Sequence, residues 1–159
     1  MNQALDTRIV VRAAGADDVV RLRDWACAMA WETEHKRLDP DTVLAGMQAV
    51  MAEPRRGAYL VAELEGVPAG TLMLTYEWSD WRCGDWWWIQ SVYVDPGHRR
   101  RGIYAALYEH VRSRAEATPQ VCGLRLYVEH ANATAQRTYE ALGMVDAGYR
   151  MYEAALPAP

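Results

Sequence analysis

The sequence predicts an α/β chain of the α+β type, with a central mixed, mostly antiparallel sheet of six to seven strands flanked by about four helices. Three observations predict it. Strand-like alternation and helical spacing succeed one another as strand, two helices, three strands, helix, strand, helix, strand or strands. Two of the early strands are joined at Glu65-Gly66 by a hairpin-like turn, which makes the first half antiparallel. A helix separates two later strands, the layout of a crossover. The chain has 159 residues, 51% of them hydrophobic, enough for one domain with a sizeable core. The expectation is a single domain over residues 1–159 with its core at about 8–156.

Each element has a local cause. Arg8-Ile9-Val10-Val11-Arg12 reads as a short first strand. Ala16-Asp17-Asp18 opens a helix with acids at its positive end, and Val19, Leu22, Ala26, Met29 and Ala30 form its buried stripe. Asp39-Pro40 starts a second helix, with Asp39 as N-cap and Pro40 at the first helical position. Val43, Leu44, Met47, Val50 and Met51 make its apolar face, and Pro54 to Gly57 ends it. Residues 59–64 and 70–76 are strands, and 77–85 reads as a polar and aromatic loop. Residues 86–94 form the longest strand candidate. Alternation puts Trp86, Trp88, Gln90, Val92 and Val94 on one face and Trp87, Ile89, Ser91 and Tyr93 on the other. Both faces are apolar, as a central strand covered on both sides requires. A helix over about 101–116 ends before Thr118-Pro119. Residues 121–129 are a strand with Leu124, Leu126 and Val128 on one face. Asn132 caps the last helix, on which Ala135, Tyr139 and Leu142 share a side, and Gly143 is its C-terminal cap. Residues 144–156 predict one long or two short final strands, interrupted near Gly148.

Composition excludes several functions. The net charge of −4 argues against nucleic acid as a partner. No apolar run approaches the ~20 residues that span a bilayer, so no membrane role is expected. Residues 1–12 lack a charged-then-apolar leader layout. The three cysteines are odd in number and widely spaced, which fits thiols in a reducing cytoplasm. The four histidines are scattered, so no metal is expected. There is no Phe, and five of the seven tryptophans lie between Trp78 and Trp88.

The stretch Val92-Tyr93-Val94-Asp95-Pro96-Gly97-His98-Arg99-Arg100-Arg101-Gly102-Ile103-Tyr104-Ala105-Ala106-Leu107 carries the chemistry. It reads as a buried strand, a tight turn, a basic loop and a helix start. Helix N-termini offer unsatisfied N–H groups and the positive end of a dipole, and Gly102 lets the backbone approach a ligand closely. These features point to a phosphate-bearing cofactor.

The stretch resembles the acetyl-coenzyme A loop of the GNAT acetyltransferase superfamily, whose pattern is Gln or Arg, two residues, Gly, one residue, then Gly or Ala. Arg99, Arg100-Arg101, Gly102, Ile103 and Tyr104 fill it, and Tyr104 departs from the small final residue. A second match strengthens the first. Asn132-x-x-Ala135, followed by Tyr139-Glu140-Ala141-Leu142-Gly143-Met144, is similar to the family's asparagine and Tyr-Glu-x-Leu-Gly-Phe signature, with Met144 for Phe.

The resemblance implies a GNAT fold over nearly the whole chain and an acetyl-CoA-dependent N-acetyltransferase. It implies that the backbone of Val92, Tyr93 and Val94 holds the pantetheine arm, and that N–H groups from Arg100 to Ala105, through Arg101, Gly102, Ile103 and Tyr104, bind the pyrophosphate. Asn132, with Ala135 in the same motif, would meet the pantetheine. Tyr139 would protonate the departing thiolate, and a strand N–H near Val92 would stabilise the oxyanion. A phenol of pKa about 10 is a reasonable acid for that thiolate.

Many family members carry a Glu base on the central strand. The matching position is Gln90, which cannot be a base, so the role passes to Glu77, Glu32, Glu34 or a water chain, or the amine arrives neutral. Trp31, Glu32, Glu34, Trp78, Asp80, Trp81 and Asp85 lie on segments that would form the acceptor side, and aromatic faces with carboxylates suit a small cationic amine. The same tryptophans equally suit a homodimer interface. Rival readings are a non-catalytic acyl-CoA-binding module, transfer of a larger acyl group, and acetylation of a protein lysine or N-terminus.

Overall fold

The structure is a computed structural model that describes residues 8–157. Residues 1–7, the start of the stretch read for a leader, and residues 158–159 lie outside it. Two compact units make up the chain, one through Leu126 and one from Tyr127 onward.

The first unit holds one five-stranded sheet in the order β1-β2-β3-β4-β5, with β1 at Ile9–Ala13, β2 at Ala58–Leu64, β3 at Val67–Ser79, β4 at Gly84–Val94 and β5 at Val121–Leu126. Strands β1 to β4 are antiparallel neighbours, and β5 is parallel to β4. The parallel step follows from the crossover through α3, Ile103–Ala117. Helices α1, Val19–Glu34, and α2, Pro40–Ala52, precede β2. Asp39 caps α2 as its sequence predicts, accepting from the Thr42 N–H at 3.2 Å, with Pro40 at the helix start.

Cross-strand partners share a face, so the register sorts the core. Ile9, Val11, Leu60, Ala62, Leu72, Leu74, Trp87 and Ile89 lie on the α3 side, where Leu107 and Val111 are fully buried. On the other face Val19, Leu22 and Trp25 of α1 and Met47 of α2 pack with Val61 and Tyr93.

Two expectations are corrected. The region 77–85 is not a loop throughout, because β3 runs to Ser79 and β4 starts at Gly84, leaving a tight turn between them. The strand count is five rather than six or seven, since residues 144–156 form no ladder among the described residues. Gly143 at φ 88° and Gly148 at φ 74° break the extended backbone there, and the Asp146 carboxylate turns the chain by accepting the Gly148 N–H at 2.8 Å. The second unit contains α4, Ala133–Ala141. No helix among the described residues is long and apolar enough to cross a membrane.

Candidate active site

The ladder between β4 and β5 ends at Ile89 opposite Leu126, yet β4 continues to Val94. The register with β3 explains the divergence. Thr71 pairs with Tyr93 but Met73 pairs with Gln90, so Ser91 and Val92 together oppose Leu72. This is a β-bulge, and Ser91 takes the left-handed φ of 49°. A bulge bends its strand, and the segment from Gln90 to Val94 has no β5 ladder partner among the described residues.

The bulge also corrects the alternation. Past Ser91 the faces exchange, so Tyr93 lies with Trp86, Trp88 and Gln90 rather than with Trp87 and Ile89. The Tyr93 ring accordingly packs on Trp25 of α1, 6.2 Å between centroids, while Val94 pairs with Gly70 on the α3 side. Ser91 is not glycine, and nothing else in the sequence marks the extra residue.

After β4 the Asp95 carboxylate accepts the Gly97 N–H at 3.0 Å and closes the Asp-Pro-Gly turn. Arg100 at φ 60° and Gly102 at φ 81° then swing the backbone into α3. The first intrahelical bond runs from the Ala106 N–H to the Gly102 carbonyl at 3.0 Å, so the N–H groups of Ile103 and Ala105 have no intrahelical acceptor. Ile103 is buried, Ala105 is half-buried, and Arg100 and Arg101 are exposed. The Tyr104 ring lies along the helix near Tyr108, 6.4 Å between centroids.

Arg99 turns back from this loop. Its Nε donates to the Val94 carbonyl at 3.0 Å, its Nη2 donates to Glu32 Oε2 at 2.7 Å, and its guanidinium sits 5.5 Å from the centre of the Tyr93 ring. The Tyr93 hydroxyl donates to the other Glu32 oxygen at 2.9 Å. Glu32 is therefore held below the usual carboxylate range, first by Arg99 and then by Tyr93. Three predicted site residues, on α1, β4 and the basic loop, meet in one cluster.

A second cluster occupies the same face further along β4. Gln90 donates to Thr75 Oγ1 at 2.5 Å. Arg125 Nη1 donates to both Glu77 oxygens, at 3.1 and 3.2 Å. The Arg125 guanidinium lies 3.9 Å from the centre of the Trp86 ring and 5.9 Å from that of Trp88. The remaining acceptor-side candidates stand apart from it. Glu34 pairs with Lys36, Trp31 meets His35 edge-on under Arg37, and Trp78 is 56% exposed. Arg125 and Thr75 were not singled out from sequence. The signal for Arg125 was present, as the polar residue between Leu124 and Leu126 and hence on the opposite face of β5.

In the second unit Asn132 caps α4, its Oδ1 accepting the Ala135 N–H at 3.1 Å. Tyr139 is half-buried on that helix, and burial raises its phenol pKa. Among the described residues no group of three or more His, Cys, Asp or Glu could hold a metal ion.

Comparison with known proteins extends these observations. The model of the acetyltransferase (GNAT) family matches residues 17–144. The chain is 30% identical over 143 residues to the phosphinothricin N-acetyltransferase of Streptomyces viridochromogenes, covering 80% of this chain and 77% of that protein. A possible acetyltransferase from Clostridium difficile 630 is 39% identical, with a TM-score of 0.88, covering 94% of this chain and 99% of the other. AAC(6')-Iy, solved in complex with the bisubstrate analog CoA-S-monomethyl-acetylneamine, shares the fold at 15% identity and a TM-score of 0.75, covering 95% and 100%. With the open β4, the glycine-led helix start and a family match over most of its length, the chain belongs to the acetyltransferase (GNAT) family, and it is an acyltransferase.

Proposed function

We propose that the protein is an acetyl-CoA-dependent N-acetyltransferase that acetylates a small-molecule primary amine by direct attack in a ternary complex. The observation that carries this reading is the stretch from Gln90 through Val94, which has no β5 ladder partner among the described residues and leads into the start of α3, where the N–H groups of Ile103 and Ala105 have no intrahelical acceptor. An extended arm bearing amides suits an open strand edge, and a pyrophosphate suits a helix N-terminus. Both demands of acetyl-CoA are thus met by one stretch of chain. The backbone of Val92, Tyr93 and Val94 would hold the pantetheine arm, and the N–H groups from Arg100 to Ala105 the pyrophosphate. Asn132 commits its Oδ1 to the helix cap, so its amide nitrogen is the atom left to donate to the arm.

Bound acetyl-CoA supplies the thioester carbonyl carbon that a neutral amine attacks. The Val92 N–H donates to the carbonyl oxygen as charge builds on it. Tyr139 gives its phenol proton to the departing sulfur, and its raised pKa keeps that proton in place through neutral pH. The ammonium form loses one proton to solvent before attack, and the nitrogen releases a second as the tetrahedral adduct collapses, which through solvent restores the proton Tyr139 gave to sulfur. Both Glu32 oxygens are taken by Arg99 and Tyr93, Glu77 is bonded to Arg125, and Gln90 does not titrate.

The test is thiol release from acetyl-CoA with pooled primary amines, phosphinothricin among them, together with mass detection of the acetylated amine. Amine-dependent release is expected. The logarithm of kcat/KM should rise with unit slope in pH up to the amine's own pKa, with no plateau near an enzyme carboxylate. Coenzyme A binding with no transfer to any amine would instead favour a non-catalytic module or a protein acceptor.

A further inference from the structure

The two faces of β4 differ in what covers them. On the α3 side Trp87 and Ile89 are buried. On the opposite side α1 and α2 cover Thr71 and Tyr93, but Glu77, Trp86, Trp88, Gln90 and Arg125 are only partly buried. An acceptor reaching Val92 therefore approaches across this second face, over the Gln90–Thr75 pair.

Arg125 lies beside that approach, and four features fix its orientation. Its partner across the ladder is Trp88, two residues from Gln90 along β4. Its guanidinium lies against the Trp86 ring. Gly123, the ladder partner of Trp86, makes room for that ring, because a Cβ there would overlap it. Glu77 engages one nitrogen, Nη1, and so sets the rotation of the guanidinium about its stack. A guanidinium carries five N–H donors, and a planar oxyanion takes two of them side by side. Among the described residues the Arg125 Nε and Nη2 donors make no hydrogen bond. Its side chain is 27% exposed.

We propose that Arg125 is a specificity-determining residue that reads a carboxylate on the acceptor, so that the substrate class is small amino acids rather than simple or polycationic amines. The proposal rests on the acetyl transfer argued above. The acceptor's carboxylate binds the Nε/Nη2 edge of Arg125, and its amine, carried on the adjoining carbon, points along β4 in the direction of Gln90. The chain's own arginines and lysine already engage Glu32, Glu34 and Glu77, so these three carboxylates are not open to a cationic acceptor.

Matched pairs separate the carboxylate from the rest of the molecule: leucine against 3-methylbutylamine, methionine against 3-(methylthio)propylamine, and phenylalanine against phenethylamine. Wild type should favour the better amino acid over its decarboxylated partner at least tenfold in kcat/KM. Arg125→Gln should raise KM for the amino acid at least tenfold and leave the decarboxylated amine unchanged. Arg125→Lys should recover only part of the loss, because an ammonium cannot form the two-point contact. The Trp86–Arg125 stack gives a readout independent of turnover. The amino acids should alter tryptophan fluorescence of wild type and not of Arg125→Gln, with coenzyme A binding retained and a cooperative melt in both variants as the control for folding. Turnover with equal preference within each pair, or an equal loss for both members in Arg125→Gln, would overturn the assignment while leaving acetyl transfer intact. If no amine is acetylated, the fluorescence titration decides: an Arg125-dependent response supports the carboxylate site, and none in wild type refutes it.

Discussion

At the residue scale, arginine pairs tie distant segments together, and what they cost when broken follows from burial. Arg12 on β1 grips both oxygens of Asp18, just before α1, at 2.7 and 2.9 Å, and also bonds Glu63 of β2 at 2.7 Å. Asp18 is buried, and it accepts the Gly15 N–H at 2.7 Å as well. The Arg12 hydrogen bond holds the Asp18 pKa below its ordinary value. A carboxylate depressed on folding stabilises the fold fully above its unfolded pKa, and that stability is lost as pH falls toward the folded value. Asp18→Asn should cost about 2 kcal/mol at neutral pH, less than a fully buried pair, because the Arg12 side chain is 36% exposed. Denaturant midpoints compared across pH would check this. The gap between wild type and variant should close below about pH 4. The Asp39 cap was legible residue by residue, since Asp-Pro before an apolar stripe has few other meanings. The Arg12–Asp18 pair was not, because the fold alone brings the start of α1 beside β1.

At the scale of elements, the Gly-led start of α3 was legible because its cause is local. Gly102 sits at φ 81°, where a Cβ is disfavoured by roughly 1–2 kcal/mol. Gly102→Ala should therefore weaken coenzyme A binding roughly tenfold, by the strain of keeping the loop in shape. Calorimetric titration measures it, and an unchanged affinity would mean that the loop does not hold the pyrophosphate. The bulge in β4 was illegible for the opposite reason. Its cause is the mismatch between β3 and β4 around Leu72, a pairing in which Ser91 is only the residue that yields. That one shift puts Tyr93 on the face that carries Gln90, beside Glu32 and Arg99. Arg125 stands between these cases. Its face on β5 follows from alternation, but its platform depends on which strand lies next to β5.

For the whole molecule, order of elements and two motifs at separate places were enough to read the family, because each motif opens an observed helix, Gly102 at α3 and Asn132 at α4. The strand count was overstated at the C-terminal end, where an apolar pattern alone does not make a ladder without a partner strand. The acceptor side has no motif of its own in the sequence. Tryptophans and carboxylates near one another suggest a cation in sequence, whereas in the structure the carboxylates of Glu32 and Glu77 are taken up by Arg99 and Arg125. The proposed acetyl transfer to a small amine depends on Tyr139 as the acid. The most direct measurement compares amine-dependent thiol release from acetyl-CoA by wild type and by Tyr139→Phe, with coenzyme A affinity measured for both. In Tyr139→Phe kcat should fall roughly a hundredfold or more with affinity retained. Equal turnover by the two proteins would contradict it.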